Sequence, residues 1–221
     1  MVKADELIEK IRIKQKPLAE RILHHRYLEA VETGRLASGQ LRIFAGQQCH
    51  IITSDLRSIA LLLSRHGNLS SRPYLFGLLQ GENAALEELS KFGCALSMSD
   101  AEIRAAEPLP GAFAYSTFVA WLGAFGSDAE LAGAFAVNLT AWGANCRRMS
   151  GALKSRYGFK PEAVAFFDLF AQTPTTDDTG LAVVQDGLDR GIEPALVERA
   201  ARLLQGYELM YWDSIADATG F

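Results

Sequence analysis

The stretch Leu196-Val197-Glu198-Arg199-Ala200-Ala201-Arg202-Leu203-Leu204-Gln205-Gly206-Tyr207-Glu208-Leu209-Met210-Tyr211-Trp212 decides the fold class. Its apolar residues Leu196, Val197, Ala200, Leu203, Leu204, Tyr207 and Tyr211 return at three- and four-residue intervals, the spacing of one buried helical face. Glu208 follows Leu204 by four positions and so stands on that face. A carboxylate among core residues must find a partner, or its affinity for protons rises. Perturbed carboxylates in apolar surroundings gather at functional sites. Glu208 is therefore the first candidate site residue, read either as a ligand-facing acid or as a buried acid bonded to a tyrosine or to Gln47 or Gln48.

Helical periodicity extends outward from this segment over the whole chain. Helices are expected over residues 5–32, from Ser38 to about His66, from Pro73 to near Gly93, over a short segment capped by Ser99, over 112–124, from Ser127 through Arg156, after Lys160-Pro161-Glu162, and over about 176–190 and 193–217. Pro17 is expected to kink or split the first. Ser99 and Glu102 have capping-box spacing. Thr173 to Thr176 reads as a turn, and Asp177-Asp178 as the cap pair of the helix after it. No segment alternates as a strand does, and no repeat or domain boundary is visible. The expectation is one all-α domain over residues 1–221, a bundle of seven to eight helices.

Composition narrows the function. Of the 221 residues 49% are hydrophobic, enough for a core without staples, and the formal charge of -4 gives no electrostatic support for nucleic-acid binding. The basic residues near the N-terminus alternate with acids and read as a solvated helix face. Cys49, Cys94 and Cys146 are odd in number and far apart, which speaks against a disulfide framework or zinc site. No signal peptide and no long apolar run is present, so the expected place is the cytoplasm, with no membrane partner.

Polar residues on otherwise apolar faces supply the other candidates. Gln47, His50, Ile51, Ser54 and Ser58 share one face of the second long helix, as a pocket lining or a buried hydrogen-bond network. His50 suits acid/base work at neutral pH. Asn138, Trp142, Asn145, Cys146 and Met149 form a stripe on the long middle helix, and its buried amides need a partner from a ligand or another helix. Cys146 is open as a nucleophile or as an inert buried thiol. Tyr115, Phe118, Trp121, Leu122 and Phe125 form an aromatic stripe, core or cofactor box.

Four stretches in order resemble the TenA/PqqC family, whose members have the heme-oxygenase-like helical fold. They are His24 to Val31 with Gly34-Arg35-Leu36, Gln40 to His50 with Phe44 and Gln47, Pro110 to Tyr115, and Tyr207 to Trp212. The resemblance implies a central cavity lined by Gln47, Gln48, His50, Tyr115, Asn138, Trp142, Asn145, Cys146, Tyr207, Tyr211 and Glu208, with Glu208 and His50 as catalytic residues. It implies a small-molecule ligand from thiamin- or quinone-type cofactor metabolism and a homodimer. The position of the aspartate of thiamin-salvage members falls on Gln48, and that of their cysteine on about Leu139. Of that set, the glutamate survives at Glu208. The di-iron branch has late ligand positions that fall on Phe170, Pro174 and Asp177, and no histidine follows His66. The quinone branch uses a histidine- and arginine-rich pocket; here Arg147, Arg148 and Lys154 stand without a late histidine. The reading is a protein that binds a small, planar, nitrogen-containing metabolite without a metal or other cofactor; whether it turns that metabolite over is left open, and if it is an enzyme Glu208 is the acid/base and His50 its polar neighbour. The alternatives are a non-catalytic ligand sensor or partner binder and, last, a di-iron oxidase. Apolar surplus at Ile59 to Leu63 and Leu75 to Leu79 points to the dimer contact.

Overall fold

A computed structural model describes residues 2–67, 69–172 and 178–221. The described residues form α1 (Ala4–Leu23), α2 (Arg26–Glu32), α3 (Leu41–His66), α4 (Arg72–Ala95), α5 (Asp100–Arg104), α6 (Pro110–Phe125), α7 (Asp128–Tyr157), α8 (Ala165–Ala171), α9 (Asp178–Asp189) and α10 (Pro194–Thr219). Short 3₁₀ turns at Ser38–Gln40 and Pro161–Val164 precede α3 and α8. Among the described residues there is no strand, so the all-α expectation holds. The expected seven to eight helices become ten.

One additional helix comes from the first segment, which divides elsewhere than expected. Pro17 sits inside α1 without ending it. The break falls at His24 and His25. His25 caps α2: its Nδ1 accepts the Tyr27 backbone N–H at 3.3 Å, while its Nε2 lies 3.1 Å from Asp213 Oδ1 of α10. A cap with a tertiary partner outweighs the proline. Ser38, expected as a cap, lies instead within the 3₁₀ turn, where Gln40 Oε1 accepts the Ala37 N–H at 2.7 Å. Ser99 and Ser127 both close capping boxes, with Glu102 and Glu130. The expected turn Thr173 to Thr176 and Asp177 lie outside the described residues.

Helices α3, α6, α7 and α10 pack most extensively, with α4 against α3 and α8 against α7. Two cores result. One is aromatic, with Phe44, Phe92, Trp142, Phe166, Phe167, Tyr211 and Trp212 buried together. The other is aliphatic, built from residues such as Ile8, Ile11, Leu122, Val184, Val197 and Leu204. Tyr115 and Leu139 touch both. Close approach of α6 to α10 requires Gly111, where a Cβ would stand 2.0 Å from the Met210 carbonyl oxygen. No helix among the described residues is long and apolar enough to cross a membrane.

Candidate functional site

The seam between the two cores opens into a cavity of about 250 Å³. Ligand sites commonly run from roughly 300 to 1,000 Å³, so this one matches a ligand of about one ring with its substituents. Four stripes wall it. Helix α3 supplies Gln48, Ile51, Ile52 and Asp55, spaced as one helical face. Helix α7 supplies Phe135, Asn138, Leu139 and Trp142 with the same spacing. Helix α10 gives Glu208 and Tyr211, and α4 gives Gly77, Leu78, Gly81 and Glu82. Tyr115 of α6 and Leu169 and Phe170 of α8 complete it. Gly77 and Gly81 are exposed, and a Cβ on either meets nothing within 4 Å. They leave room at the cavity's outer side.

Glu208 is 2% exposed and faces this cavity. Trp212 Nε1, one turn on, donates to its Oε1 at 3.1 Å, and Asn138 Nδ2 donates to its Oε2 at 2.5 Å. Asn138 also accepts the Tyr115 hydroxyl at 3.2 Å and donates to Gln205 Oε1 at 3.2 Å. Burial pushes the Glu208 carboxyl up to about 8, although both hydrogen bonds act in the opposite sense. Two neutral donors do not offset the lost hydration. The group thus carries a proton near neutrality and can lose it within the range where general acids and bases work.

A second acidic place, which the sequence reading did not single out, lies on the same cavity. Asp55 is 3% exposed, and its Oδ1 has no hydrogen-bond partner among the described residues. Burial and the neighbouring Glu82 raise it well above the usual carboxylate range. Glu82 is half-buried, and desolvation pushes its carboxyl up to about 7. Tyr115 stands within the field of all three acids; burial first, then Asp55, Glu208 and Glu82, push its hydroxyl well up.

The structure brings Gln48, Tyr115, Asn138, Trp142, Tyr211 and Glu208 together on the cavity and leaves the other predicted residues off its lining. Gln47 donates to the Glu107 carbonyl at 3.0 Å and accepts the Leu109 N–H at 2.7 Å. His50 bonds the Ala106 carbonyl. Both satisfy the backbone between α5 and α6. Asn145 donates to the Ile22 carbonyl at 3.3 Å, at the end of α1. Cys146 is buried in the aromatic core, and burial, with Glu208 nearby, pushes its thiol well up. Tyr207 packs its ring on Phe118 at 5.3 Å. Of the di-iron positions, Phe170 lines the cavity, while Pro174 and Asp177 lie outside the described residues. Among the described residues no three histidine, cysteine, aspartate or glutamate side chains cluster to hold a metal ion.

Comparison with known proteins bears on the fold around this cavity. The model of the TENA/THI-4/PQQC family matches residues 12–180, a span that stops short of Glu208. No curated protein matches the chain. Solved structures share the fold at low identity. A TenA homolog from Pseudomonas syringae pv. tomato str. DC3000 is 14% identical with a TM-score of 0.80, covering 98% of this chain and 96% of that one. A TenA family transcription regulator from Silicibacter sp. TM1040 is 17% identical with a TM-score of 0.73, covering 94% and 95%. A domain of unknown function with a heme oxygenase-like fold from Shewanella denitrificans OS217 is 13% identical with a TM-score of 0.74, covering 98% and 92%.

Proposed function

We propose a function for this chain, which belongs to the TENA/THI-4/PQQC family: it binds a small, planar, nitrogen-containing metabolite of cofactor metabolism in the cavity over Glu208. The observation that carries the reading is a buried carboxyl, held near neutrality by its surroundings, on the wall of a ring-sized cavity. Aromatic and aliphatic walls from Trp142, Phe170, Ile51 and Leu78 suit a flat apolar face. Asn138 and Tyr115 suit its polar edge.

In this reading Glu208 is the acid/base. Protonated near pH 7, it donates to a ligand nitrogen; ionised, it accepts a proton back, and Asn138 and Trp212, which donate to its two oxygens, hold the side chain in place. No step uses a metal. His50, bonded to the Ala106 carbonyl off the cavity, braces the entry to α6 and takes no part in proton transfer to the ligand.

A ligand-sensing protein is the second reading. It is favoured by Leu139, which lines the cavity where a nucleophilic cysteine would be expected, and by Cys146, which is buried away from that wall with its thiol pushed up. The transcription-regulator description of one structural neighbour is in keeping with it. We further propose a homodimer, for which the exposed Leu61, Phe76, Phe113, Trp121 and Phe125 offer apolar surface.

The test compares the protein with Gly81→Leu, which adds bulk at the cavity's outer side, where a new Cβ meets nothing within 4 Å. Each is incubated with a bacterial small-molecule extract, washed and denatured, and the released compounds are weighed by mass spectrometry. A nitrogenous compound enriched by the wild type and lost in Gly81→Leu is the expected result. Its recovery unchanged after long incubation selects the sensor, and its conversion selects the enzyme. Equal enrichment by both proteins would refute the cavity as the site.

A further inference from the structure

The carboxyl groups on the cavity have no basic counterpart. Asp55, Glu82 and Glu208 face it, and no lysine, arginine or histidine lines it among the described residues. Glu208 has its partners in Asn138 and Trp212. Asp55 and Glu82 do not: neither makes an ion pair or a hydrogen bond among the described residues, and Asp55 Oδ1 is buried without a partner. Buried charges in proteins are paired or neutralised, and a buried acceptor without a donor costs free energy that folding alone does not recover. Two acids on facing helices α3 and α4 that share one small space repel when both ionise. A neighbouring apolar residue at either position would remove that penalty. The penalty is removed equally well by a ligand that brings a positive group with several N–H donors.

A metal ion is a poor match for this place. Two carboxylates with no third protein ligand among the described residues would leave most of a metal's shell to water, and the walls beside them, Ile51, Ile52, Leu78 and Leu139, are apolar. An anion would add a like charge. A nitrogen cation fits: a delocalised amidinium is weakly hydrated and carries fixed donors, an alkylammonium brings three rotatable ones, and either can be joined to a flat body lying along Ile51, Ile52, Leu78 and Leu139.

Resting on the ligand-site reading above, we propose that Asp55 and Glu82 form a cation subsite, so that the ligand is an amine or amidine whose positive group sits between them while its ring extends toward Glu208. The ligand class is thereby narrowed from nitrogen-containing to cationic. Asp55→Asn keeps the side chain's shape and one acceptor oxygen without the charge, and because this change removes a buried carboxyl it is expected to fold.

The experiment uses benzamidine, benzamide and benzoate as probes, three single-ring compounds that are cationic, neutral and anionic. Binding to the full chain is measured by calorimetry, with Gly81→Leu as the control that locates it. Benzamidine is expected to bind about tenfold or more tighter than benzamide, the increment of a charge-assisted over a neutral pair, and benzoate not at all. In Asp55→Asn and in Glu82→Gln the preference for benzamidine is expected to fall to about threefold or less. Benzamidine and benzamide binding alike, or a preference that survives both substitutions, overturns the cation subsite alone. Binding that is unchanged in Gly81→Leu, or the failure of all three probes, overturns both the subsite and the ligand-site reading.

Discussion

Replacing Glu208 by glutamine should make the protein more stable, and the gain should grow with pH. The open chain ionises this carboxyl at its ordinary value of 4.5, while the fold holds it protonated up to about 8. The native state therefore binds more protons than the unfolded state between these values, and stability falls as pH rises through that window. At about 1.36 kcal/mol per pH unit the cost of the native acid reaches about 4 kcal/mol at pH 8 and only about 1 kcal/mol at pH 5. Glutamine carries no such cost. Its carbonyl can accept from Trp212 or Asn138, but its amide must find an acceptor, a loss of about 1 kcal/mol. Glu208→Gln should thus equal the wild type at pH 5 and exceed it by about 3 kcal/mol at pH 8. Urea unfolding at both pH values, with equal m-values required, reads the difference directly. Asp55 and Glu82 contribute the same trend to both proteins and cancel in the comparison. A stability difference that does not change with pH, or a variant weaker than the wild type at pH 8, would refute the reasoning.

The thiols offer a second check. Cys94 is exposed, whereas burial pushes Cys49 and Cys146 up, so one thiol should react promptly with Ellman's reagent in the native protein and the other two only on unfolding. Gly111→Ala drives a Cβ against the Met210 backbone and should lower stability by about 1–3 kcal/mol, read as a lower urea midpoint. Light scattering should give twice the chain mass of 24.1 kDa, because Trp121 and Phe125 leave 41% and 73% of their surface exposed; a single-chain mass would contradict the dimer.

How far the sequence reached can be read helix by helix. Glu208 was legible because it interrupts an apolar stripe four residues after Leu204, a purely local signal. The stripe on α7 was legible as a face but not in height. Asn138 and Trp142 meet the cavity, while Asn145 and Cys146, further along the same helix, have passed beyond it to the end of α1 and the aromatic core. On α3 the reading was partly out of phase: Gln48 and Ile51, both named from the sequence, line the cavity, whereas Gln47 and His50 do not. The lining runs Gln48, Ile51, Ile52, Asp55, about 100° from the face bearing Gln47 and His50, which the backbone between α5 and α6 claims. Asp55 and Glu82 were not singled out because each has polar neighbours, Ser54 and Arg57 for the one and Asn83 for the other, and looks solvated until α3 and α4 pack together. The Gly77 and Gly81 pair before Glu82 was the available signal: two glycines one turn apart in a helix leave space that something can occupy. The division of α1 from α2 needed Asp213, far away in sequence, to hold His25.

The central claim is that the cavity keeps Glu208 protonated near neutral pH, ready to exchange a proton with a bound ligand. Carbon-detected NMR of glutamate side-chain carboxyls, titrated from pH 4 to pH 9 and assigned by the signal missing in Glu208→Gln, tests it most directly. The account predicts a midpoint of about 8 for Glu208. A midpoint near the ordinary 4.5 would contradict it.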